Sequence, residues 1–249
     1  MPKFFVEPSK VRDGKIIIDT EDVKHITRVL RMDTGSKLTV CDTCGFDYLA
    51  EVSSVSEKAV ICTVLEKEKS DSEPKVQITL YQALPKGTKM EYIIQKTTEL
   101  GIYRIVPVMM SRCVSKINSR GDGEKKAARW QKIAESAAKQ SGRGIIPEVC
   151  PPVSFAEALG SLKSAELAFA PYECEAENGL KGLIHGAAYE KAAFIIGPEG
   201  GFDPAEAELL KKSGIATVTL GKRILRTETA GEAVLAMMMY EAGELEPKI

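Results

Sequence analysis

At 249 residues, with 28% charged and 44% hydrophobic residues, the chain has the composition of an ordinary soluble globular protein, able to bury one large core or two modest ones. No apolar run approaches membrane-spanning length, and the opening MPKFFVEPSK lacks a signal peptide's apolar core, so a cytoplasmic protein with no membrane partner is expected. The net charge of −1 conceals a basic middle: residues 85–145 carry 13 Lys and Arg against 5 Asp and Glu, a net +8, between flanks of −2 and −7.

Short β-type runs at Lys15–Ile18, Lys37–Cys41, 46–52 and 59–65 are separated by turn residues, with one helical piece at 22–30 among them. They predict a small β-barrel over residues 1–70. Cys41 and Cys44 have the C-x-x-C spacing, but no second pair or histidine motif completes a zinc site. With only His25 and His185 in the chain, no metal is expected. The six cysteines read as reduced thiols, mostly buried small hydrophobes. Residues 66–74, charged and poor in apolar side chains, read as a linker.

From residue 74 to 249 strands and helices alternate. A strand at 76–83 leads to a helix at 88–100, with a Thr88…Glu91 capping box and a stop at Gly101. A strand at 102–109 precedes a long helix at 122–141, whose Trp130 reads as core, and a further strand follows at 167–170. Then come two strand–loop–helix units. The run 193–196 leads into Gly197-Pro198-Glu199-Gly200-Gly201 and an Asp203-Pro204-Ala205-Glu206 helix start. The run 216–220 leads into a second glycine-bearing loop and a capping box at Thr229…Glu232. Such alternation predicts a mostly parallel sheet covered on both faces, with ligands at its carboxyl edge.

The glycine loops exclude some ligands. No Lys-Ser/Thr follows Gly197–Gly201 as a phosphate-cradling loop requires, and an acidic residue inside it would repel a pyrophosphate. A cationic or polyol ligand suits it better, although the glycines by themselves also fit a plain tight turn. The basic middle points to a polyanion such as nucleic acid, against the plainer reading of solvated helix faces. Its extension through loops as well as helices favours the polyanion.

Six motifs in order carry a family resemblance: His25-x-x-x-Val29-Leu30-Arg31; Lys89-x-Glu91-x-x-x-Gln95-Lys96-x-x-Glu99-Leu100-Gly101; Arg129-Trp130-x-x-Ile133-Ala134; Gln140-Ser141-Gly142-Arg143; Gly197-Pro198-Glu199-Gly200-Gly201; and Leu220-Gly221-x-Arg223-Ile224-Leu225-Arg226-x-Glu228-Thr229-Ala230. Together they resemble the SPOUT class of RNA methyltransferases, and within it the type that methylates uridine N3 in bacterial 16S ribosomal RNA. The resemblance covers nearly the whole chain. It implies a PUA/OB-like barrel at 1–70 and an α/β methyltransferase domain at 74–249, whose C-terminal part threads a deep trefoil knot. Topology rules alone would reject such a knot. It further implies S-adenosylmethionine as cofactor, a homodimer, and the small ribosomal subunit as partner. Gly197, Pro198, Glu199, Gly200, Gly201, Leu220, Gly221, Ile224, Leu225, Thr229 and Ala230 would hold the cofactor, mainly through backbone, with Ile224 and Leu225 against the adenine.

Uracil N3 is a poor nucleophile until its imide proton leaves, and the charge then spreads onto the flanking carbonyl oxygens. Arg226 is the candidate to stabilise that charge. Glu228 fits two roles, a general base or a structural anion at a helix start. Arg28 and Arg31, three apart on one helix, are candidate RNA contacts, with Lys86, Arg112, Lys116 and Arg143 from the basic middle. His25 reads as a packed or capping residue. Rival readings are a transfer-RNA or ribose methyltransferase of the same fold, or an RNA-binding module without catalysis. The intact glycine and arginine loops weigh against the last.

Overall fold

The computed structural model describes residues 2–117 and 119–246, and the chain divides into two compact units. The first comprises Met1–Glu73 with Ala138–Ile146, the second Pro74–Ala137 with Pro147–Ile249.

The first unit holds β1 (Lys3–Phe5), a 3₁₀ turn (Pro8–Lys10), β2 (Val11–Arg12), β3 (Lys15–Ile18), α1 (Asp22–Lys24), a π-helical turn (His25–Val29), β4 (Lys37–Cys41), β5 (Phe46–Val55) and β6 (Val60–Lys69). The sheet order is β1-β4-β5-β6-β3-β2, antiparallel except for the β1–β4 pair. Alternation places Ile16 and Ile18, Leu38 and Val40, and Ala50 and Val52 on one face, where they enclose Ile26 and Val60.

Three sequence expectations change here. The helix at 22–30 is α-helical for only three residues before it widens, with Leu30 N–H donating to His25 O at 2.9 Å. Arg31 lies beyond its end, in the left-handed region at φ 51°, so Arg28 and Arg31 do not share a helix face. Residues 66–69 are not a linker. They extend β6 against β5 through Glu66↔Leu49 and Lys69↔Phe46, and the Lys67 ammonium lies 4.1 Å from the Phe46 ring centre. The end of the long helix also returns to this unit. Glu73 accepts from Arg143 Nη2 (2.6 Å), Gly144 N (2.7 Å) and Ile145 N (3.0 Å), and Lys3 Nζ reaches Gly142 O at 3.0 Å.

The second unit contains β7 (Gln77–Ala83), α2 (Lys89–Glu99), β8 (Arg104–Met109), α3 (Arg120–Ser141), β9 (Glu148–Val149), β10 (Val153–Ser154), α4 (Phe155–Leu162), β11 (Leu167–Pro171), α5 (Leu180–Ile184), β12 (Lys191–Ile196), α6 (Pro204–Lys212), β13 (Ala216–Val218) and α7 (Thr227–Glu241), with the last turn of α3 belonging to the first unit. The strands are parallel in the order β10-β8-β7-β12-β11-β13, with β9 beside β8. Phe169 and Phe194 stack in its core, and Trp130 is buried. α2 stops at Gly101, φ +93°, but its expected capping box is absent, because the Glu91 carboxylate pairs with Arg129 instead. β7 and β12, far apart in sequence, lie side by side, and the strand order reverses between them. Crevices form beyond the carboxyl ends at such a switch point.

Among the described residues, no helix is long and apolar enough to cross a membrane. Cys41, Cys62 and Cys113 are buried, whereas Cys44 and Cys174 are exposed. Burial pushes the Cys41 thiol up to about 12, and its Sγ lies 3.0 Å from Gly144 O, as befits a neutral donor.

Candidate functional site

A cavity of about 610 Å³ opens at the carboxyl edge of the second unit's sheet. Residues 171–173 after β11, 196–202 after β12 and 219–227 after β13 line it, with Lys89 of α2 and Ala230 of α7. The sequence explains the first two boundaries locally. β12 ends where Gly197 begins, and α6 starts on a capping box in which the Asp203 side chain accepts from Ala205 N and Glu206 returns to Asp203 N at 3.0 Å. Glu206 also accepts from Ser111 N at 2.9 Å, fixing the chain after β8 to the same corner.

α7 departs from expectation. It begins at Thr227 rather than after Thr229, and its N-cap, Arg226, makes no side-chain cap bond. The Thr227 hydroxyl donates to Gly197 O at 2.8 Å and accepts from Gln82 Nε2 at 2.9 Å, and Gln82 Nε2 also reaches Ala83 O at 3.1 Å. Gln82 is fully buried. A polar relay thus ties the end of β7 to both loops, and the full desolvation cost of any broken link makes it rigid. Gln82→Leu is expected to cost about 1–3 kcal/mol by leaving this relay short of a donor, read as a lowered urea midpoint at unchanged m-value.

A second lattice is ionic. Lys89 Nζ lies 3.1 Å from both Glu199 Oε1 and Glu228 Oε2, and Lys86 N donates to Glu199 Oε1 at 3.0 Å. Hydrogen bonds to Glu228 and then Glu199 raise the Lys89 pKa, so it stays an ammonium. Burial pushes the Glu199 carboxyl upward, yet the Lys86 N–H and the Lys89 ammonium outweigh it and hold the group below its usual range. Arg112 Nη1 donates to Gly200 O at 3.1 Å, and its Nε lies 3.5 Å from Asp203. Gly201 takes φ +68°, and a Cβ there would stand 2.0 Å from Glu173 Oε1.

Residues 72–239 match the RNA methyltransferase domain family, and residues 18–65 the RNA methyltransferase PUA domain family. The chain is 34% identical to the ribosomal RNA small subunit methyltransferase E of Bacillus subtilis (strain 168), over 97% of each chain. The chain belongs to the ribosomal RNA small subunit methyltransferase E family. Its counterpart from Mesomycoplasma hyopneumoniae is 37% identical, over 92% of this chain and 95% of that one. Among solved structures, the Neisseria gonorrhoeae ribosomal RNA small subunit methyltransferase E bound to S-adenosyl methionine aligns with a TM-score of 0.83 at 32% identity, covering 96% of this chain and 97% of that chain.

For this member of the family, most of the residues singled out from sequence meet in one place. Gly197, Pro198, Glu199, Gly200, Gly201, Leu220, Gly221, Ile224, Leu225, Arg226 and Ala230 all line the cavity. Thr229 and Glu228 do not: Thr229 faces solvent, and Glu228 stands behind Lys89. The exposed cations Lys86, Arg112 and Lys116 belong to this unit, and Arg28 and Arg31 are exposed on the first. Arg143 must be corrected. It is 4% exposed with its guanidinium on Glu73, a buried structural pair with no face to offer RNA. Sequence reading placed Lys89 in a family motif without a role at this cavity, and missed Gln82 and residues 171–173. The only local signal for the last was their position just beyond a strand.

Proposed function

We propose that the chain methylates N3 of one uridine in 16S ribosomal RNA of the small ribosomal subunit, using S-adenosylmethionine. The observation that carries this reading is the cavity of three strand-end segments with Arg226 on its wall, in a chain related over 97% of its length to ribosomal RNA small subunit methyltransferase E.

The cavity suits the cofactor. Ile196, Leu225, Ala230 and the 87% exposed Ile224 offer apolar surface to a purine, and glycines at 197, 200, 201 and 221 allow close backbone approach. The Glu173 carboxylate beside Gly201 suits a cationic methionine portion. Bound there, S-adenosylmethionine supplies a methyl group on a positively charged sulfur. Gly201→Ala forces a side chain into the left-handed region and against Glu173, and is expected to weaken cofactor binding at least about tenfold by calorimetry. The double variant with Glu173→Ala removes the clash but not the backbone strain, and so recovers only part of the loss.

The chain's own contribution to the reaction is alignment and charge stabilisation. Arg226 faces the carbonyl oxygens of a uracil losing its N3 proton. Glu228, with its carboxylate on Lys89 and outside the cavity wall, serves as the structural anion rather than the base. Arg28, Arg31, Lys86, Arg112 and Lys116 are the proposed phosphate contacts. A C-terminal trefoil knot, a PUA-type barrel and a homodimer in the cytoplasm complete the reading, supported by membership of the family. The test is methyl transfer from labelled cofactor to small subunits lacking the modification, with the product nucleoside identified by mass spectrometry. A single 3-methyluridine is expected. A methylated ribose, another base or a methylated transfer RNA would replace the reading with a different methyltransferase.

A further inference from the structure

We propose that Lys89 is a second catalytic cation, donating to one uracil carbonyl while Arg226 serves the other. The inference rests on the uracil-N3 reading above and adds a residue to it.

A lysine ammonium has three N–H groups, and that of Lys89 is held between two carboxylates, Glu199 and Glu228, each at 3.1 Å. These carboxylates come from different elements, the loop after β12 and the first turn of α7. They fix an otherwise flexible side chain, which is 32% exposed and lines the cavity. The ammonium keeps N–H groups for whatever occupies the cavity. Its position is already set by the two ion pairs, so a hydrogen bond to a ligand needs little further ordering.

The clamp also explains why two acids sit beside a site that handles an anion. Unpaired, Glu199 on the cavity wall and Glu228 behind it would repel a deprotonated uracil. With Lys89 between the two carboxylates, a charge-assisted donor faces the base as well. Lys89 and Arg226 balance Glu199 and Glu228 in charge, while Lys222 and Arg223 on the same wall outweigh Glu173, so the aim of the donors decides where the cationic charge acts. Uracil chemistry calls for two such donors. When the N3–H bond breaks and the proton passes to solvent water, charge divides between the oxygens on C2 and C4. The N3 lone pair then forms the N–CH₃ bond as the S–CH₃ bond breaks and sulfur keeps its electrons. Arg226 and Lys89 reach the cavity from different places, the loop end just before α7 and the start of α2, as donors to two oxygens on opposite sides of N3 must. The rival ligand, the cofactor's carboxylate, fits less well. A third full carboxylate on an ammonium that already holds two would meet net repulsion.

The test compares wild type, Lys89→Met and Lys89→Arg in single-turnover methyl transfer at saturating cofactor. Small subunits are reconstituted with 16S transcripts containing either uridine or 5-fluorouridine, whose N3 proton is more acidic. Lys89→Met is expected to slow transfer to uridine about 10²-fold to 10³-fold, keep cofactor Kd within about twofold by calorimetry, and recover at least about tenfold on the 5-fluorouridine substrate. Lys89→Arg should retain more activity than Lys89→Met. Cofactor Kd raised about tenfold or more, with the rate at saturation unchanged, would assign Lys89 to the cofactor and overturn the proposal. An equal loss on both substrates would reduce it to a structural clamp. Failure of the wild type to form 3-methyluridine at all would instead overturn the underlying reading, before any variant is compared.

Discussion

Replacing Arg226 by alanine is expected to lower single-turnover methyl transfer by at least about 10²-fold to 10³-fold while S-adenosylmethionine Kd stays within about twofold. The backbone accounts for so selective an effect. Arg226 is the extended residue before α7, at φ −66° and ψ 154°, and its carbonyl accepts the Ala230 N–H at 2.8 Å. The next residue, Thr227, is buried and pinned to Gly197 and Gln82. A guanidinium that emerges from so fixed a backbone can be aimed without being packed, and Arg226 is in fact exposed at the cavity wall. Truncation removes the aimed charge and leaves the loops standing. Arg226→Lys is expected to recover little, since a compact ammonium lacks the planar fork and the reach of the guanidinium. An unchanged rate would remove Arg226 from the mechanism. A large loss of cofactor binding would make it a cofactor ligand instead.

The relation between local and long-range bonding decides how much of this molecule the sequence discloses. The capping box at Asp203 and Glu206 is legible because both partners lie three residues apart and satisfy one another. Read by the same rule, Thr229 and Glu232 mislead. The helix starts earlier because Thr227 spends its hydroxyl on Gly197, thirty residues away, a bond with no sequence signature. Glu91 fails as a capping partner for a similar reason, its carboxylate being drawn to Arg129 on another helix. The glycine loops announce the site because close backbone approach demands glycine. Residues 171–173 need no special backbone, so their part in the same cavity stays hidden. Glu66–Lys69 look like a linker because every side chain is charged, yet a strand whose outward residues meet water or lie over Phe46 tolerates charge well.

Glu73→Ala is expected to destabilise the first unit by about 3–5 kcal/mol, the usual cost of removing one partner from a buried ion pair. Glu73 and Arg143 are 15% and 5% exposed at their side chains, and the carboxylate also satisfies the N–H groups of Gly144 and Ile145. Removing it leaves a buried guanidinium and two backbone donors without that acceptor. A unit with a core as small as this one has only modest stability to lose. Glu73→Gln keeps an acceptor for the two N–H groups and should cost less, about 1–3 kcal/mol. Arg143→Met added to Glu73→Ala removes the guanidinium whose pair with Glu73 was cut and should restore much of the loss. Urea denaturation followed by a probe in the first unit reads all three. Equal losses in the single and double variants would mean that the backbone donors, not the ion pair, hold this segment in place. The same measurement bears on the family motif Gln140-Ser141-Gly142-Arg143. Its arginine, which looks from sequence like a hand held out to RNA, is instead needed to keep the end of a long helix fastened to Glu73, just beyond β6.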